Sequence, residues 1–336
     1  MSFSSPHVGF VSTRLAGTDG VSLELSKWRH VLSELGYQCF YFAGEADRPA
    51  DRTRIVPEAH FEHPLVAGIN QELFSGKTFR SRAKTEAIHD LRLHLKSALH
   101  EFINDFDIQL LKVENALSLP MNVPLGLALT EVVAETNIPT IAHHHDFYWE
   151  RERFAVNAAE DFLQAAFPPA MHAICHVVIN SFAAKRLARR TGLRSTLIPN
   201  VMNFDSPPPP RTPESAEVRQ ALQIGDDHWF FLQPTRVVPR KCIERSLELV
   251  RWLDHPATLV VSHASGDEGN AYQDYLARLA DTFDVRILFA GDLFFGDEYE
   301  RQEEAGIFAL ADAYHAADLI TYPSRVEGFG NAFLEA

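Results

Sequence analysis

Short runs of apolar and β-branched residues alternate along this chain with longer stretches whose apolar positions recur every three or four residues. Residues 7–13 (HVGFVST) form the first short run and predict a strand. Residues 21–35 follow, with Val21, Leu25, Trp28, Leu32 and Leu35 at helical spacing, and Gly36 closes the predicted helix. Residues 38–43 (QCFYFA) predict the next strand. Further strands are predicted over 108–113, 139–143, 176–180 and 196–199, with helical patterns between most of them, such as 83–102. This alternation predicts an α/β fold, a parallel sheet covered by helices on both faces. Residues 60–82 contain Pro64, Gly68 and Gly76 and read as irregular, either a long functional loop or a local insertion.

At 206–213 the chain reads SPPPPRTP, and four consecutive prolines continue neither a helix nor a central strand. A stiff linker is therefore expected over 206–215, between a first domain at 1–205 and a second at 216–336. The alternation restarts after it, with strands predicted over 230–234, 258–262, 285–290 and 319–322 and helices over 243–253, 272–283 and 305–316. Two doubly wound domains imply a cleft, with ligands beyond the carboxyl ends of the strands.

Composition narrows the function. The 336 residues include 31 Lys plus Arg and 45 Asp plus Glu, a net charge of −14, which argues against a nucleic-acid partner. The first residues lack a basic segment and a long apolar core, so no signal peptide is expected. No run approaches the roughly 18–20 apolar residues of a membrane span. Cys39, Cys175 and Cys242 are odd in number and far apart, and read as small buried residues in a reducing cytoplasm.

Four segments carry candidate chemistry. Residues 322–336 (YPSRVEGFGNAFLEA) place Glu327 in a glycine-containing turn and Glu335 eight positions later, on a helix starting near Asn331. Gly328 and Gly330 allow close backbone approach to a ligand, and a carboxylate there accepts hydrogen bonds from sugar or ribose hydroxyls. The alternative is an ordinary strand-to-helix turn with a solvated Glu. Residues 234–242 (PTRVVPRKC) place Arg236 at a strand end and Lys241 at a helix start, two cations suited to a diphosphate or simply a solvated surface pair. Residues 14–22 (RLAGTDGVS) form a flexible turn through Gly17 and Gly20 and lack a dinucleotide fingerprint. Residues 143–153 (HHHDFYWERER) invite a zinc reading, but neighbouring side chains at a strand end alternate faces, so the three histidines do not converge on one ion. Tyr148 and Trp149 suit an aromatic wall for a sugar, and Trp149 suits a structural role equally.

Together these segments resemble, in order and over nearly the whole chain, the retaining glycosyltransferases of family 4 (group 1), which have the GT-B fold. Residues 327–335 resemble that family's pair of glutamates eight apart. The resemblance implies that Glu327 lies near the donor sugar, that Glu335 binds ribose hydroxyls, and that Gly328, Phe329, Gly330 and Asn331 supply contacts to sugar and diphosphate. Arg236 and Lys241 match the family's diphosphate-binding cations, with one departure: Cys242 stands where a Gly is usual. The loop with Gly17 and Gly20 would face the diphosphate and acceptor. His145 and Asp146 match a His–Asp pair whose His lies close to the donor sugar, which puts Asp146, Tyr148 and Trp149 on the acceptor side. Residues 198–200 (IPN) resemble the family's hinge, while 263–265 and 290–292, with Gly291 and Asp292, end strands that line the nucleoside in related folds.

The implied reaction transfers a hexose from a nucleoside diphosphate sugar to a hydroxyl acceptor with retention, and needs no obligatory metal if the two cations stabilise the leaving diphosphate. The acidic composition favours a small soluble acceptor, as in compatible-solute or disaccharide synthesis. A sugar-nucleotide epimerase, a phosphorylase and a non-catalytic sugar-nucleotide-binding protein remain as alternatives. The chain stops one residue after Glu335, so the second domain is expected to be an incomplete piece of a longer protein.

Overall fold

The computed structural model describes residues 5–17, 20–200, 202, 204, 207–265, 269–295, 308–325, 327 and 329–336. It divides into two compact units, Met1–Asn200 and Val201–Ala336.

Unit 1 runs β1 (His7–Val11), α1 (Gly20–Glu34), β2 (Gln38–Ala43), β3 (Thr53–Ile55), α2 (Pro64–Leu73), α3 (Arg82–Asp105), β4 (Leu110–Glu114), α4 (Val123–Thr136), β5 (Thr140–His144), α5 (Glu160–Ala166), β6 (Ile174–Val178), α6 (Ser181–Thr191) and β7 (Thr196–Leu197). All seven strands are parallel, in the order β3-β2-β1-β4-β5-β6-β7. The order reverses between β1 and β4, the switch point of a doubly wound sheet. Side chains alternate across β1: Val8 and Phe10 pack with Leu25 of α1, and Val11 faces the larger core built on α3 and α4. The 24 residues of α3 bury Ile88, Leu91, Leu95, Leu99 and Phe102 at spacings of three and four. Asn122 caps α4 by accepting from the Leu125 N–H at 3.0 Å, and Asn180 caps α6 by accepting from Ala183 at 2.8 Å.

One segment corrects the sequence expectation. Within 60–82, read as irregular, α2 forms with Val66, Ile69 and Leu73 buried. Pro64 is its first residue, where the missing N–H costs nothing, and the apolar residues behind it still repeat at helical spacing.

Unit 2 runs α7 (Pro213–Ala221), β8 (Trp229–Gln233), α8 (Ile243–Arg251), β9 (Ala257–Val261), α9 (Ala271–Phe283), β10 (Arg286–Phe289), β11 (Phe294–Phe295), β12 (Phe308–Ala309), α10 (Leu310–Ala316), β13 (Leu319–Ile320) and α11 (Asn331–Glu335). Four parallel strands form its main sheet in the order β10-β9-β8-β13, and β11 pairs with β12. The switch point lies between β8 and β13. Residues 207–211 are exposed and irregular. Thr212 accepts from the Ser215 N–H at 3.2 Å and so starts α7 inside the stretch read as linker. Residues 305–307 of the expected helix lie outside the described residues.

The cysteines also need correction. All three thiols are free, and Cys39 and Cys242 are buried, but Cys175 is exposed. The short β7 pairs with β6 only at Val177 and Val178, beyond Cys175.

His144 and His176 sit face to face in the core of unit 1, Nε2 to Nδ1 at 2.9 Å. The His176 Nε2–H donates to the Pro169 carbonyl at 3.2 Å, and in a neutral ring its Nδ1 then accepts from His144. Burial favours the neutral form of both rings. Burial holds His176 at about 4 and His144 well below its ordinary 6.5. Their folded values lie below the unfolded one, so their stabilisation is complete above pH 6.5 and is lost as pH falls towards 4. Urea unfolding of unit 1 is expected to weaken by about 2 kcal/mol or more between pH 7 and pH 5. The double variant His144→Leu/His176→Leu flattens that slope; an unchanged slope contradicts the assignment.

Candidate functional site

In unit 2 the loops that follow β8 and β13 meet above the switch point. Gln233, at the end of β8 and fully buried, ties them together. Its Oε1 accepts from Ser246 of α8 and from Thr321 after β13, both at 2.8 Å, and its Nε2 donates to Thr235 at 3.0 Å. A backbone bond from the Arg325 N–H to the Arg240 carbonyl at 2.9 Å closes the same junction.

That junction brings Lys241 and Glu327 together. The Lys241 Nζ donates to Glu327 Oε1 at 2.6 Å, and the Arg240 guanidinium lies 3.7 Å from Glu327 Oε2. The ammonium also lies over the Tyr322 ring, 5.6 Å from its centroid. Burial lowers the Lys241 pKa against the upward pull of Glu327. Burial pushes the Glu327 carboxyl up, but bonds from Lys241, Ser324 and Tyr322 prevail and hold it below the usual range. Arg236 is close enough to oppose protonation of both Lys241 and His263, and burial holds His263 at about 4.

Cys242, where the resemblance leads one to expect Gly, has φ 51° and ψ 45°. It takes up the left-handed conformation that Gly adopts freely and that other residues adopt rarely. Gly330 also lies at positive φ, 95°, and a Cβ there would come within 3.1 Å of the Tyr322 hydroxyl. It leads into α11, which carries Asn331 and Glu335. Tyr314 of α10 donates to Glu335 Oε2 at 2.9 Å. Phe329 is half-buried beside Gly330, and Gly328 lies outside the described residues. Gly291 approaches the loop after β9 so closely that a Cβ would meet the Ala264 nitrogen at 2.8 Å.

In unit 1 the loops after β1, β4 and β5 gather at the other switch point. The loop after β1 is anchored by the Gly17 N–H, which donates to Asp47 at 2.9 Å; Gly20 begins α1, and Thr18 and Asp19 lie outside the described residues. The three histidines behave as strand alternation requires. His144 points to His176, while His143 and His145 lie on the other face with ring centroids 4.5 Å apart. They converge on Glu114, with Oε2 2.9 Å from His143 Nδ1 and 3.4 Å from His145 Nε2. Lys112 bonds Glu114 and lies over Trp28, 4.2 Å from the ring centroid. Burial pushes the Glu114 carboxyl up, but Lys112 and His143 hold it well below its usual range.

Sequence reasoning missed Lys112, Glu114 and Gln233. The signal was present: a central strand reading LLKVE puts two charges two positions apart, hence on one face of a buried sheet. Asp146 pairs with Arg151, and the Tyr148 N–H donates to the Ser118 carbonyl at 3.0 Å. Trp149, expected on the acceptor side, is half-buried. Its ring stacks on Phe147 at 4.5 Å with an 8° tilt, and the Arg190 guanidinium lies over it at 5.3 Å.

No family model matches the chain. It is 31% identical over 358 aligned positions to the mannosylglucosylglycerate synthase of Petrotoga mobilis, covering 98% of this chain and 79% of that protein. It is 34% identical over 343 positions to the Thermotoga maritima enzyme of the same name, covering 95% of this chain and 75% of that one. Among solved structures, a glycosyltransferase from Rickettsia africae superposes with a TM-score of 0.62 at 13% identity, over 99% of this chain and 77% of that one, a likeness of fold.

The Lys112–Glu114 pair gives a stability test. Lys112→Met leaves a buried carboxylate without its cation and is expected to cost about 3–5 kcal/mol in urea unfolding. Lys112→Met/Glu114→Gln removes both charges and is expected to recover most of that loss. Equal destabilisation by both variants contradicts the pairing.

Proposed function

The chain belongs to the family 4 (group 1) glycosyltransferases of GT-B fold, and from that premise we propose that it transfers a mannosyl group from a nucleoside diphosphate mannose to a hydroxyl of glucosylglycerate, with retention of configuration. It is a glycosyltransferase that draws on a nucleotide sugar. The observation that carries the substrate choice is the match to two mannosylglucosylglycerate synthases over at least 95% of the chain. Glucosylglycerate is also the small soluble acceptor that the acidic composition favours.

The roles follow from chemistry. Breaking the glycosidic bond leaves positive charge on the sugar and negative charge on the diphosphate. Lys241 and Arg236 take the diphosphate; the Lys241 ammonium has three donors and Glu327 uses one. Glu327 receives sugar hydroxyls, and Glu335, steadied by Tyr314, receives those of the ribose. Gly17, Gly20, Gly328, Phe329, Gly330 and Asn331 contribute contacts to sugar and diphosphate. His145 contacts the sugar, and Asp146 and Tyr148 stand on the acceptor side. The leaving phosphate oxygen takes the acceptor proton, so the reaction asks for no separate base, and with Arg236 and Lys241 on the diphosphate it asks for no obligatory metal. Three free thiols suit a reducing cytoplasm. Among the described residues no helix is long and apolar enough to cross a membrane.

Incubation with GDP-, UDP- or ADP-mannose and glucosylglycerate is expected to yield mannosylglucosylglycerate with the donor's anomeric configuration, read by NMR. Donor hydrolysis alone, or the opposite anomer, overturns the proposal. Arg236→Ala and Lys241→Ala are each expected to lower kcat by roughly 10²–10³-fold; full activity of either sinks the diphosphate assignment.

A further inference from the structure

We propose that Glu114 is the positioning residue for His145, and that Lys112 is the resident cation that keeps Glu114 ionised for that task. The proposal rests on the reading above that His145 works at the transferring sugar.

Lys112 and His143 are fully buried and Glu114 is 1% exposed, on neighbouring strands of a sheet otherwise filled with Val, Leu and Phe. Apolar residues of similar volume at such places are often as stable or more so, so buried charges of this kind are poorly explained by stability alone. Their geometry supplies another reason. Glu114 and Asn115 are consecutive residues at the carboxyl end of β4, and both hold His145. Asn115 Oδ1 accepts from the His145 backbone N–H at 2.8 Å. Glu114 Oε2 lies 3.4 Å from the His145 ring at Nε2. Backbone and ring are thus gripped separately, by the last residue of β4 and by the residue that follows it.

The grip selects a tautomer. An ionised carboxylate only accepts, so the proton of neutral His145 sits on Nε2, facing Glu114. Nδ1 then carries the lone pair, and among the described residues no hydrogen bond reaches it. A sugar or acceptor hydroxyl can donate to that nitrogen.

Lys112 explains how the carboxylate remains ionised without water. It bonds Glu114 Oε1, lies 3.2 Å from His143 Nδ1, and rests on the Trp28 face. Glu114, His143 and His145 offer ligand atoms within 4.8 Å of one another, close enough for a metal ion. The Lys112 ammonium already supplies positive charge to two of those three groups, so the cluster reads as a clamp on His145 rather than an ion cage.

The test compares Glu114→Gln, His145→Ala and the charge-balanced Lys112→Met/Glu114→Gln, the last guarding against a simple folding defect. Glu114→Gln and the double variant are expected to lower kcat by roughly 10–100-fold, with KM for both substrates nearly unchanged. Long-range ¹H–¹⁵N NMR of histidine-labelled protein is expected to show the Nε2–H tautomer of His145 in the parent and a tautomer mixture in the double variant. An unchanged His145 spectrum in both Glu114 variants overturns the contact. Full kcat in folded Glu114→Gln, with His145→Ala inactive, overturns the positioning role and leaves His145 at the sugar. Full kcat in His145→Ala overturns the reading on which the proposal rests.

Discussion

A parallel sheet wound in both directions has one gap where neighbouring strands send their crossovers to opposite faces, and the loops above that gap are held apart. Each unit of this chain has one such gap, between β1 and β4 in the first and between β8 and β13 in the second. The residues with plausible chemistry stand on the loops beside these gaps. Elsewhere the strands read as nearly continuous Val, Leu and Phe because both faces of the sheet are covered.

The two gaps are furnished differently. In unit 2 the charges are only partly buried: the side chains of Lys241 and Glu327 are 11% and 20% exposed. Such a pair can exchange partners with an anionic ligand at modest desolvation cost. In unit 1 the Lys112 and Glu114 side chains are wholly buried, and a ligand cannot replace either partner without unmaking the sheet beneath it. The first arrangement suits binding and release. The second suits a fixed support for the more exposed His145 beside it.

Much of this was legible in the sequence. Alternating periods located the main strands of both sheets within a few residues, since side chains facing two apolar layers leave little freedom in composition. The donor-side residues were legible because one short segment holds Glu327, Gly330 and Glu335 and another holds Arg236 and Lys241. Three things were not. The helix at α2 was hidden by Pro64, whose effect depends on whether it falls in the first turn or later. The exposure of Cys175 depends on what covers its face of β6, which the local composition does not display. The support of His145 by Glu114 joins positions 31 apart through strand pairing, which no local pattern displays.

The central claim is that the cations above the β8–β13 gap recognise a diphosphate. Calorimetric titration of GDP, UDP and ADP, each against its own monophosphate, tests it most directly in the parent and in Lys241→Ala. The account predicts that the parent prefers the diphosphate of its own base by about tenfold or more, and that Lys241→Ala loses most of that preference while its monophosphate affinity changes little. An equal preference in parent and variant would contradict it.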